Sequence, residues 1–169
     1  MTDPTILRVT YLELTTAPTP AGARIGAERI ARERMSCPEY LELYKRVGEP
    51  LRWDQRIQMA ERELAALLDD GSLNIYVLRD AQGQALGFCE FDRRGFPDIE
   101  LKNFGVVAEV QGLGLGSWLL KVALCEEWRS DPVRIWLHTD TWDHPAAMHV
   151  YQRAGFRVFA VRDEAAGPL

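Results

Sequence analysis

Apolar and polar positions alternate loosely over residues 6–14, where aliphatic and β-branched side chains dominate, and this predicts a first strand. Residues 15–23 hold Pro18, Pro20 and Gly22 and read as a loop. Residues 24–34 fit neither period cleanly; Ile25, Gly26 and Ile30 allow a strand early on. Over residues 38–47, Tyr40, Leu41, Tyr44 and Val47 share one helical face, and Gly48-Glu49-Pro50 ends that helix. Residues 54–68 predict a second helix with Ile57, Leu64, Ala65 and Leu68 inward, stopped by Asp69-Asp70-Gly71. Two strands, 73–78 and 85–91, flank a hairpin turn at Asp80-Ala81-Gln82-Gly83, and 99–107 is the next strand. A helix over 115–128, a strand over 133–139, a helix over 145–154 and a strand over 156–161 complete the layout.

Three consecutive strands followed by helix, strand, helix, strand predict an α/β fold, a mixed sheet with helices on both faces. The 169 residues make one domain with a proper core, without repeat, linker or low-complexity stretch. Net charge is −5 with dispersed basic residues, which argues against a nucleic-acid partner and mildly favours cationic acceptors. Cys37, Cys89 and Cys125 are far apart and odd in number, and no metal-ligand spacing exists, so no metal is expected. Reduced thiols, no leader-like N-terminus and no 18-residue apolar run predict a cytoplasmic chain with no membrane partner.

One segment carries more chemistry than the rest. Val106 and Val107 lead into Gly112, Gly114 and Gly116, at every second position, and an amphipathic helix follows directly. Glycine tolerates φ > 0 and close approach of a ligand to the backbone. The helix start adds unpaired N–H groups and the positive end of its dipole. Together these predict an anion cradle, most often for phosphate or pyrophosphate. A P-loop would need a lysine where Ser117 and Trp118 stand, and the Rossmann G-x-G-x-x-G spacing is absent.

The segment resembles motif A of the GNAT acetyltransferase superfamily, Gln/Arg-x-x-Gly-x-Gly/Ala, carried here by Gln111, Gly114 and Gly116. Asp143 through Phe156 resembles motif B of that family, with Ala147, Tyr151, Gly155 and Phe156 in the matching places. Pro145 suits a first helical turn and Gly155 the C′ position. His144 stands where the family usually has asparagine, and Asp143 is the better helix cap by residue type. The resemblance implies a single-domain GNAT fold with a mostly antiparallel sheet. It also implies acetyl-CoA as co-substrate, with its pyrophosphate on the loop and helix. Cofactor contacts would then come from Phe104, Gly105, Val106, Val107, Gln111, Gly112, Leu113, Gly114, Leu115, Gly116, Ser117, His144 and Ala147.

Direct attack of an amine on the thioester follows from the same resemblance, and no cysteine or serine has a partner that the sequence would pair with it. Tyr151 matches the tyrosine that serves many members as general acid to the leaving thiolate; a packed aromatic is the alternative. Glu100, on the strand before motif A, matches the base position of some members, or else edges a half-solvated sheet. Glu90 and Asp98 stand in reserve. A backbone N–H within Phe104 to Val107 would stabilise the oxyanion, with Gly105 marking a β-bulge or relieving packing. His138, which shares a strand face with Trp136, reads as a core or cleft histidine.

Tyr40, Trp53 and Arg56 are the expected acceptor-pocket residues, with Tyr44 and Arg52 near them, unless the tyrosines pack the core and the arginines lie in water. The implied activity is acetyl transfer to a primary amine of a small molecule, amino acid or peptide. A catalytically silent acyl-CoA sensor of the same fold is the competing reading. The family resemblance also leaves a homodimer open.

Overall fold

Alternation along β1 (Ile6–Leu14) puts Leu12 and Leu14 into the core and turns Tyr11 and Glu13 the other way, and the same period organises a seven-stranded sheet. The remaining strands are β2 (Arg29–Glu33), β3 (Leu73–Arg79), β4 (Ala85–Asp92), β5 (Asp98–Val106), β6 (Arg134–Asp140) and β7 (Arg157–Ala165), in the spatial order β2-β3-β4-β5-β6-β1-β7. This computed structural model describes residues 5–166. All strand neighbours are antiparallel except β5 and β6, which run parallel. Among the described residues no helix is long and apolar enough to cross a membrane.

Among the described residues four α-helices cover the sheet: α1 (Cys37–Gly48), α2 (Glu61–Asp69), α3 (Leu115–Trp128) and α4 (Ala147–Arg153). A capping box starts α1: the Ser36 hydroxyl accepts from the Glu39 N–H, and the Glu39 carboxylate accepts from the Ser36 N–H. Neighbouring residues of β5 show which helices share a face. Gly105 abuts Val47 of α1, whereas Phe104 packs on Tyr151 of α4 and toward Gly116 of α3. Helices α1 and α3 therefore lie on opposite faces.

Three expectations need correction. The second helix begins at Glu61 rather than residue 54; residues 54–60 turn, and Ile57 is exposed instead of inward. Glu61 and Glu63 favour the new start by complementing the helix dipole. The last helix begins at Ala147, so Pro145 precedes it, and it is His144, not Asp143, whose side chain accepts from the N–H just before the helix, Nδ1 to Ala146 at 3.1 Å. The last strand runs to Ala165 because it pairs with the whole of β1, Ile6 opposite Ala165. The ambiguous stretch resolves into β2 at residues 29–33, an edge strand.

One irregularity positions the site. The β5–β6 pairing covers only Asp98 to Glu100 against Arg134 to Trp136, and from there the two strands part. On the other side of β5 the register slips: Glu90 faces Asn103 but Phe91 faces Leu101, leaving Lys102 as the extra residue. The bulge therefore sits at Lys102 and not at Gly105. A Cβ on Gly105 would come within 2.5 Å of Val47 Cγ1, so this glycine admits the α1 helix against the strand.

Candidate functional site

Where β5 and β6 separate, a cleft of about 640 Å³ opens. Its walls are the end of α1 with the loop after it, residues 101–106 of β5, the glycine loop, the tip of β6, and residues 142–151.

The glycine loop is built as an anion cradle requires. Gly112 and Gly114 both hold φ +78°, a left-handed conformation that a side chain would strain, and nothing stands over Gly112 within 4 Å. Gly114 is the N-cap of α3 without any side-chain cap, and the Trp118 N–H is the first to bond back, to the Gly114 carbonyl at 3.2 Å. The donors of that first turn are free toward the cleft. Gln111, Gly112, Gly114, Gly116 and Ser117 all line it. Leu113 is exposed beside it, while Leu115 turns its side chain into the core.

Phe104, Gly105 and Val106 line the cleft, but Val107 does not. The Val107 N–H is bonded to the Leu86 carbonyl at 2.8 Å, and its side chain is buried. Backbone donors alternate along a strand, so the N–H groups of Phe104 and Val106 turn to the open side of β5 while Gly105 points to β4.

Tyr151 reaches the cleft from α4, is 8% exposed, and packs between Phe104 and Phe156. Burial first, then the charges of Asp143 and Cys89, push its phenol well above the usual tyrosine value. Asp143 is itself held high by burial, although its carboxylate accepts from the Thr139 hydroxyl at 2.5 Å and the Asp140 N–H at 3.2 Å. His144 and Ala147 line the cleft nearby.

Glu100 lies outside the cleft wall, where its carboxylate meets the Lys102 ammonium at 3.5 Å. Trp53 lines the cleft, edge-on to Phe88. Tyr40 and Arg56 do not; both donate to Glu90, a fully buried carboxylate that also accepts from Asn103 at 3.0 Å. The arginine and the tyrosine are thus consumed in a network beneath the cleft floor. Burial pushes the neighbouring Tyr44 phenol, which lines the cleft, up to about 12.

One feature escaped the sequence. Arg52, at φ +60°, stacks its guanidinium over Trp142 with the ring centroid 5.4 Å away, bridging the loops on either side of the cleft. His138, read as a core or cleft histidine, is exposed on the cleft wall. Register places its side chain with Trp136 and Glu100 on the α1 face, opposite the face that Tyr151 approaches from. The Trp136/His138 alternation was a legible signal; the bridge between distant loops was not. Among the described residues no group of three acidic, histidine or cysteine side chains could hold a metal ion.

A model of the acetyltransferase (GNAT) family matches residues 27–156. Among solved structures, the chain superposes on a GCN5-related N-acetyltransferase from Sphaerobacter thermophilus with TM-score 0.63 and 18% identity, covering 98% of this chain and 54% of that one. A tandem GNAT protein from the clavulanic acid biosynthesis pathway gives TM-score 0.66 and 18% identity over 99% of this chain and 55% of that one. An aminoglycoside acetyltransferase from an uncultured soil metagenomic sample gives 0.63 and 13% over 76% and 88%. This chain thus spans little more than half the length of the first two.

Proposed function

Because the chain belongs to the GNAT acetyltransferase family, we propose that it moves an acetyl group from acetyl-CoA directly to a primary amine of a small molecule, amino acid or peptide. The observation that carries this reading is the juncture of an uncapped helix start at Gly114 with the parting of β5 and β6 in one continuous cleft. The first holds phosphate; the second exposes strand donors to a thioester arm.

Acetyl-CoA supplies an activated acetyl thioester. The Gly112 to Ser117 backbone binds the diphosphate, and Phe104 or Val106 N–H donates to the acetyl oxygen as charge develops there. His138 takes the proton from the incoming amine, on the α1 face where Trp53 and Asn103 shape the acceptor side. Tyr151 meets the departing sulfur from the other face. Its phenol stays protonated at working pH, and its raised pKa lies above the ~8.5 of a thiol. The hydrogen bond therefore stabilises the thiolate, which takes a proton from water, while the proton shed by the amine passes from His138 to solvent. Glu100 takes no part, being ion-paired outside the cleft.

A thiol-release assay with acetyl-CoA against amines, amino acids and peptides, beside calorimetric CoA binding, tests the reading. Release with one acceptor class supports it; binding without release across the panel replaces it with the sensor. His138→Ala is expected to lower kcat/KM about 10²-fold. An unchanged kcat/KM would exclude His138 as the base.

A further inference from the structure

The glycine loop is a phosphate cradle with no cation of its own: residues 108–118 contain Glu109 but neither lysine nor arginine. A cation arrives from elsewhere in the chain. The segment between β1 and β2 crosses α3, where the Cys125 thiol donates to the Thr19 carbonyl at 3.6 Å. Five residues on, the Arg24 guanidinium meets the start of that helix. Both of its Nη groups donate to the Leu113 carbonyl, at 3.3 and 3.4 Å, and it faces the Trp118 ring at 5.9 Å from the centroid. Its Nε is buried without a partner among the described residues, and its Nη1 would lie 3.8 Å from a Cβ on Gly114.

We propose that Arg24 is a positioning residue of the cofactor cradle, holding the Leu113–Gly114 peptide so that its N–H faces the diphosphate and bringing the charge that the loop lacks. In a trans peptide the carbonyl and the following N–H point in opposite directions. A guanidinium on the Leu113 oxygen therefore turns the Gly114 N–H away from itself, toward the cleft. It also polarises that N–H, since hydrogen bonds in series strengthen one another. Trp118 keeps the guanidinium in place from the helix side. The inference rests on the acetyl-CoA reading above, and it adds a residue far from motif A in sequence.

Calorimetry with three ligands on the wild type, Arg24→Ala and Arg24→Lys tests it: CoA, dephospho-CoA, which keeps only the diphosphate, and S-acetyl-pantetheine, which has no phosphate beyond its arm. Arg24→Ala is expected to weaken CoA and dephospho-CoA alike by about tenfold, the scale of one charge-assisted hydrogen bond. Arg24→Lys should recover part of the loss, S-acetyl-pantetheine should bind as before, and KM for acetyl-CoA should rise with kcat held. The ligand-free melting temperature controls for folding. Unchanged affinity in Arg24→Ala would overturn the proposal. So would a loss confined to CoA, which assigns Arg24 to the 3′-phosphate, or an equal loss with S-acetyl-pantetheine, which assigns it to general loosening. A wild type that binds neither CoA nor dephospho-CoA would overturn the acetyl-CoA reading itself.

Discussion

The two ends of β5 differ in one respect. From Asp98 to Glu100 the strand pairs with β6, and at Glu100 with β4 as well; from Asn103 to Val106 it is paired to β4 alone. At the closed end, charged side chains serve the sheet: Arg134 bridges Glu13 at 2.9 Å and Asp98 at 3.2 Å, and Glu100 meets Lys102. At the open end, the backbone edge that a neighbouring strand would have occupied is left for a ligand. In the proposed mechanism chemistry follows the unpaired edge and not the carboxylates, even though the carboxylates are what a sequence displays.

The comparison is broken most sharply at the open end. Tyr151→Phe is expected to lower kcat about 10²–10³-fold with CoA affinity nearly intact; steady-state kinetics beside calorimetry measures both, and an unchanged kcat would remove the phenol from the reaction. Gly105→Ala crowds Val47 of α1 and should destabilise the fold by about 1–3 kcal/mol in denaturant titration. At the closed end the effects shrink. Arg134→Ala should cost under ~1 kcal/mol of stability because its two ion pairs are partly solvated. Glu100→Gln should leave kcat within about twofold in steady-state kinetics.

The smallest effect concerns the Asp143 carboxyl, which burial holds above the ordinary aspartate value of ~3.9. The unfolded chain releases that proton first. Between the ordinary value and the raised one the native state therefore binds more protons, and stability falls as pH rises through this window. Asp143→Asn should flatten that slope in melting curves taken across the acidic range.

Much of this was legible in residue order. Strands β3, β4 and β5, helix α3 and the glycine loop follow their apolar period and their turn residues closely. The errors have physical sources. Residues 54–60 have a helical period, yet Arg56 is drawn into the buried Glu90 network, a contact fixed by tertiary structure. A glycine in β5 suggested a bulge, but a bulge requires only an unpaired residue, and Lys102 supplies it. Gln111, Gly114 and Gly116 reach the cleft because their role is set by local backbone conformation. The acceptor residues Tyr40 and Arg56 were misplaced because side chains of that size find partners across the sheet, which no local pattern encodes.

The position of β1 between β6 and β7 shapes how the molecule comes into being. Its pairs lie more than 120 residues away, as with Leu14 opposite Ile135 and Ile6 opposite Ala165. Ribosomes extend the chain N-terminus first, so this strand emerges long before either neighbour exists. Meanwhile β2 through β5 with α1 and α3 can assemble from nearer contacts. Leu12 and Leu14 stay uncovered until β6 and β7 have emerged, and closing so large a loop is the slow kind of step in folding. A nascent chain stalled before β6 would carry the glycine loop and α3 beside a first strand with neither of its neighbours.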